Sequence, residues 1–173
     1  MVRGGGDIRV FHPLLPFTGL YPAGKTYIIR KCPVAGGESM IGDMIGELTG
    51  KITGQRLKRH HMGVLKIERT MESKGKVLGT EVTFLATFKS WERPQGGMFS
   101  KGNGLMMTAA GERADFHGSG ISVAGKGHGI SMRGIRYAQS AAPPLSRLNN
   151  IAMVFEIEVS PDGTVHDRMW EWK

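Results

Sequence analysis

The chain is poor in the residues that announce a chemistry. It has one cysteine, Cys32. A single thiol cannot close an internal disulfide, which excludes a disulfide-held secreted scaffold. No apolar run reaches the length of a membrane-spanning helix, so no membrane partner is expected. The N-terminal MVRGGGDIRVFHPLLPF lacks a long apolar stretch of the signal-peptide kind, and the expected location is cytoplasmic. The six histidines (His12, His60, His61, His117, His128 and His166) form neither HxH nor HExxH. His117 and His128 fall on neighbouring strand candidates with Asp115 nearby, but a third convergent ligand is missing, and no metal is expected. Gly125-Lys126-Gly127-His128-Gly129 lacks the GxxxxGK[ST] pattern of a phosphate loop. A dinucleotide fingerprint would need a βαβ unit, which the pattern does not contain. Cys32 sits beside Lys31 but has no adjacent base, and it reads as a bystander thiol. No cofactor is expected.

Glycine and positive charge are abundant. There are 26 glycines in 173 residues and a formal net charge of +8. Residues 1–61 carry nine Lys/Arg against four Asp/Glu, and residues 62–173 carry fourteen against eleven. Lys58-Arg59-His60-His61 is the densest cluster. These charges form no long run and do not interleave with aromatics, as a single-strand groove requires. They read as a solvated basic surface, and nucleic acid is not the expected partner.

Residues 1–40 read as an N-terminal arm. FHPLLPFTGLYPAG is apolar but broken by proline and excludes a long helix. Such a segment packs on its own domain or on a neighbouring subunit, so a homo-oligomer is expected. Lys25–Lys31 is a short strand candidate within the arm.

Residues 41–173 read as one β domain. Glycines spaced every four residues weaken a helical start at Met40, and clear alternation begins at Gly46: Leu48, Gly50, Ile52 and Gly54 share one face. Further strands are expected over 63–71, 76–91, 98–108, 112–123, 128–140, 151–159 and 165–172, with a turn at Ser73-Lys74-Gly75. Ser160-Pro161-Asp162-Gly163 is the strongest turn signal. Ala141–Asn150 reads as a short helical turn near 142–149. Short turns between eight strands predict an all-β, eight-stranded antiparallel meander barrel, a size that closes around a filled core or one small ligand. Glycines alternating with aliphatics fit the taper of a narrow barrel.

Several stretches carry a family resemblance: LTGKITGQR (Leu48–Arg56), GNGLMMTAAGE (Gly102–Glu112), SMRGIRY (Ser131–Tyr137), LSRLNN (Leu145–Asn150), VFEIEVSPDG (Val154–Gly163) and WEWK (Trp170–Lys173). Over residues 46–173 the chain resembles a family of small, functionally uncharacterised bacterial and archaeal proteins with a calycin-like or allene-oxide-cyclase-like barrel. The resemblance implies the fold. Similar barrels include ligand carriers and cofactor-free cyclases or isomerases, an analogy at the level of fold.

In a barrel, chemistry belongs in the lumen. On 128–140 one face carries Met132 and Arg136, and the other carries Arg133 and Tyr137. One arginine therefore points inward whichever face is buried. An inward arginine needs a carboxylate or an anionic ligand, with Glu112, Asp115, Glu156 and Glu158 as candidate partners. Trp170 and Trp172 share a face and suit either a barrel end or an aromatic wall. Met98, Met106, Met107, Met132, Met153 and Met169 suit an adaptable apolar cavity. The expected ligand residues are Asn103, Met132, Arg133, Arg136, Glu156 and Trp170. The expected proton-transfer residues are Glu112, His117 and Tyr137. The expected function is binding of a small apolar or planar molecule, extended to cofactor-free cyclisation or isomerisation if one group moves a proton. The alternative is a filled, structural barrel that oligomerises through its arm.

Overall fold

The structure is a computed structural model that describes residues 41–59 and 65–173. The arm, Cys32, His12, the His60-His61 pair and the start of the second expected strand lie outside the described residues. Eight strands follow one another: β1 Ile41–Arg59, β2 Leu65–Val77, β3 Thr80–Glu92, β4 Met98–Thr108, β5 Arg113–Ala124, β6 Ile130–Ser140, β7 Met153–Val159 and β8 Thr164–Trp172. Each pairs antiparallel with the next, and β8 returns to β1, so the sheet is a closed barrel. Closure is carried by pairs such as Leu48↔Asp167 and Gly46↔Met169. The expected eight-stranded antiparallel meander is the fold observed.

Two expectations about elements are corrected. The chain is already extended at Ile41, with no helical opening. The first hairpin after β1 turns at Leu78-Gly79 rather than at Ser73-Lys74-Gly75, which runs inside β2. Both turn residues have positive φ, 50° at Leu78 and 79° at Gly79, the requirement of a two-residue turn that matches strand twist. A leucine there costs about 1–2 kcal/mol of backbone energy. It is held because Leu78 packs against the core and its N–H donates to Ile45 O at 2.8 Å. Gly75 was misread as a turn glycine because its role is close approach: a Cβ there would lie 2.1 Å from Glu47 O.

The final hairpin turns where proline, aspartate and glycine predict. Asp162 accepts from Thr164 N at 3.0 Å and Thr164 Oγ1 at 2.8 Å, which holds its carboxyl below the ordinary range. The helical turn is a 3-10 segment, Pro143–Asn150, whose Leu145 and Leu148 are fully buried.

Alternation sends Leu48, Met71, Phe84, Met106, Phe116, Met132, Phe155 and Met169 into one buried core. On β1 the alternation breaks between Ile52 and Gly54, where a bulge shifts the register against β2. Beyond it Gln55 faces Arg69, so Gly54 no longer shares the inner face of Ile52.

The interior glycines set the radius of the barrel. A Cβ on Gly50 would stand 1.9 Å from Glu72 O and 2.4 Å from Ser73 Cα. No rotamer relieves a clash with backbone. Gly50→Ala is expected to lower stability by about 3 kcal/mol, the upper end of the overpacking range. The check is a urea melt with a lower midpoint and an unchanged slope.

Candidate functional site

The site is built from the inner wall. Along β6, Met132, Gly134, Arg136 and Ala138 face the lumen, and Arg133, Ile135 and Tyr137 face outward. Arg136 is the inward arginine. Its Nη1 lies 2.9 Å from Asp167 Oδ2 on β8, and both side chains are buried, at 6% and 0% exposure. The contact has ion-pair distance without an aligned N–H. Among the described residues Arg136 Nη1, both Asp167 oxygens and, separately, the buried Ser73 Oγ lack a well-aligned hydrogen bond. The guanidinium is instead stacked on aromatic faces. Its Cζ lies 4.3 Å from the Phe155 ring centroid and 5.4 Å from that of Phe84. Phe84 in turn meets Phe116 edge-on at 5.4 Å. Burial pushes the Asp167 carboxyl above its ordinary range, and the Arg136 charge pulls it back without cancelling the shift.

Two cavities lie along this wall. One, of about 50 Å³, is lined by Phe84, Phe116, Phe155, Arg136, Ala86 and the backbone of Gly102, Gly104 and Gly118. The other, of about 30 Å³, is lined by Arg69, Ser90, Ser100, Ser122, Ile52 and Ile130. Met71, Phe88, Met132 and Ile157 line both, so these four side chains form the partition. Each cavity has room for water-sized groups. A drug-sized ligand needs several hundred Å³, so a larger guest requires the partition to move. Unbranched methionines are the side chains best able to do so.

The sequence-predicted residues divide between the two faces of the sheet. Met132 and Arg136 line the lumen. Asn103 contributes to the cavity wall from β4, but its exposed side chain accepts through Oδ1 from His117 Nδ1, 3.1 Å away on the outside. Cross-strand register sets Asn103, His117 and Tyr137 in one outer row, with Tyr137 55% exposed. Arg133 Nε donates to Glu156 Oε1 at 3.0 Å on the outer face, and Arg168 reaches the other Glu156 oxygen at 3.3 Å. Glu112 sits at the β4–β5 turn, its N–H donating to Thr108 Oγ1 at 3.2 Å. Glu158 accepts from Ser131 Oγ at 2.7 Å, and Asp115 is exposed on the outer face. None of the four expected carboxylates partners Arg136; Asp167 does. Trp170, between Met44 and Val154, and Trp172, opposite Ile41, lie on the outer face of β8. Of the six methionines expected at a cavity, Met106, Met132, Met153 and Met169 are buried in the core. Among the described residues no group of three His, Cys, Asp or Glu stands close enough to hold a metal ion.

Sequence reasoning missed Asp167 and Arg69. Both carried a signal. Asp167 stands between Val165 and Met169, and Arg69 between Ile67 and Met71, each a charge set into an apolar alternation. The tryptophans on the opposite face of β8 were the larger hydrophobic cue, and they pointed to the wrong face.

These features define an antiparallel β-barrel with a buried charged pair in an aromatic lumen. Solved structures share the barrel fold. A protein with unknown function from Clostridium acetobutylicum ATCC 824 is similar with a TM-score of 0.64 at 12% identity, over 75% of this chain and 96% of that one. A β-barrel like protein from Acinetobacter baumannii AYE is similar with a TM-score of 0.64 at 9% identity, over 76% and 94%. An enzyme from Penicillium herquei is similar with a TM-score of 0.52 at 11% identity, over 79% and 100%. No protein-family model and no curated protein matches the chain. At these identities the likeness establishes the barrel fold. Among the described residues no helix is long and apolar enough to cross a membrane.

The buried pair makes two predictions. Arg136→Ala leaves Asp167 without a counter-charge and is expected to cost about 3–5 kcal/mol, whereas Arg136→Met combined with Asp167→Leu is expected to match or exceed wild-type stability by about 1–4 kcal/mol; denaturant melts separate the two. Because the folded protein raises Asp167, the stability linked to its proton is full below the ordinary aspartate range and is lost as pH rises through the folded pKa. The Tm difference between wild type and Asp167→Asn, followed over a pH series, is therefore expected to move in favour of wild type as the pH falls through the folded pKa of Asp167.

Proposed function

We propose that the barrel binds a small, mostly apolar molecule in its lumen. The observation that carries this reading is the aromatic cavity walled by Phe84, Phe116 and Phe155, with the Arg136 guanidinium on its edge. A packed, purely structural core gains nothing from a buried arginine whose N–H is misaligned with its partner, since a well-packed apolar pair is at least as stable. A guest with one polar atom supplies the missing acceptor. Gly102, Gly104 and Gly118 line the same cavity, where the absence of a Cβ lets Phe88 and the Phe84 ring pack against the β4 backbone: a Cβ on Gly102 would lie 2.6 Å from Phe88 Cβ, and one on Gly104 2.5 Å from the Phe84 ring. The resemblance to calycin-like and allene-oxide-cyclase-like barrels belongs with this proposal as an analogy of fold.

Binding is favoured over catalysis. His117 and Tyr137 face away from the lumen, Glu112 is held at the β4–β5 turn by Thr108, and Asp167 is the titratable carboxyl beside Arg136. A proton-transfer version of the function would rest on Asp167, whose raised pKa suits a general acid. The alternative reading, oligomerisation through the N-terminal arm, falls outside the described residues.

The test is a thermal-shift titration with octanol, a slender and uncharged probe. A guest of the native state at a hundredfold excess over its Kd adds about 2.7 kcal/mol of stability. Wild type is expected to show a saturable rise in Tm. Ala86→Leu, which fills the cavity from β3, is expected to melt cooperatively without that rise. Flat titrations of wild type with octanol and with its carboxylate analogue octanoate would overturn the binding reading in favour of the filled barrel.

A further inference from the structure

We propose that the lumen is selective for a monocarboxylate with a slender apolar tail, and that Arg69 holds the carboxylate. The inference rests on the lumen reading above and names the chemical class of its guest. Arg69 lies on the inner face of β2, between Ile67 and Met71, at the smaller cavity. Its Nε donates to Gln55 Oε1 at 2.8 Å. Among the described residues no carboxylate forms an ion pair with it. Burial alone depresses its pKa, with no neighbouring charge contributing. Among the described residues its Nη donors have no partner, and a half-buried guanidinium in that state is the residue type suited to gripping a carboxylate in two-point fashion.

The surroundings fit a carboxylate head. Ser90 and Ser100 are buried at the same cavity, with hydroxyls 2.7 Å apart, and Ser122 joins them. Arg69 and Arg136 are the charged side chains lining the two cavities, and Arg136 already stands against Asp167. The cation left to meet a guest at the smaller cavity is Arg69, whose charge a single carboxylate neutralises.

Register sets the path of the tail. Arg69, Phe88, Gly102, Gly118 and Arg136 succeed one another across β2 to β6 in a single inner row. The two glycines leave the row without side chains between Phe88 and Arg136. A tail leaving Arg69 passes Phe88 and the methionine partition and enters the aromatic cavity.

The experiment compares octanoate with octanol by isothermal titration calorimetry on the full chain, in wild type, Arg69→Met and Arg69→Lys. Wild type is expected to bind octanoate at least tenfold more tightly than octanol. Arg69→Met is expected to erase that preference while keeping octanol affinity, and to have a higher Tm without ligand because an uncompensated buried charge is gone. Arg69→Lys keeps the charge without the planar fork and is expected to lie between. Equal binding of octanoate and octanol to wild type, or an octanoate preference that survives Arg69→Met, would overturn the role of Arg69 and leave the lumen reading standing. Binding of neither probe to wild type would overturn both. If Arg69→Met fails to fold, Arg69→Lys with unchanged preference and affinity overturns the proposal in its place.

Discussion

Closing eight strands into one barrel fixes the volume inside it, and most other features of this protein follow from that limit. The pairing of β8 with β1 leaves no free sheet edge within the barrel. It also brings backbone so close to backbone that several inner positions accept only glycine. Gly50, Gly75 and Gly134, whose added Cβ atoms would lie 1.9, 2.1 and 2.1 Å from carbonyl oxygens, are the tightest of these. The space released by small residues on one strand is taken up by Phe84, Phe116, Phe155 and the buried methionines of others. The core is thus large against small across the lumen, and what remains unfilled is a pair of cavities of about 50 and 30 Å³.

Into that confined space the fold sets two arginines and one aspartate. A buried charge costs several kcal/mol of desolvation, which only good geometry and full hydrogen bonding repay. Here the repayment is incomplete. Among the described residues Arg136 leans on Phe155 and Phe84, Asp167 stands against that one cation, and Arg69 has an amide but no anion. These are the polar groups on which the proposed binding rests. The outer face behaves differently. There Glu156 is shared by Arg133 and Arg168, and Glu68 stands near Lys58 and Lys89, in pairs that water screens and that contribute little.

Much of the fold was legible in the chain. The alternation of Ile151–Val159, the Pro-Asp-Gly turn and the proline-led 3-10 segment each follow from local rules, and each lies where those rules place it. The β2–β3 hairpin was not legible, because Leu78 is a poor residue for positive φ and is held there by packing against a core that does not exist locally. The site was partly legible. That one arginine of β6 must point inward followed from alternation alone. Its partner did not, because Asp167 is separated from Arg136 by an intervening strand and thirty-one residues of chain, and only register brings them together.

By itself the sequence determined the class of fold: eight strands with short turns and period-two patterning close as an antiparallel meander, since pattern and turn chemistry are local properties. Tertiary structure decided which face of each strand is wet. Alternation offers two faces, and a bulge such as that between Ile52 and Gly54 exchanges them without any change in composition. Closure and register then chose Arg136 over Arg133, placed both tryptophans of β8 outside, and set Arg69 and Asp167 in the lumen. Those choices depend on the summed volume and charge of eight strands at once, which no single stretch of the chain contains.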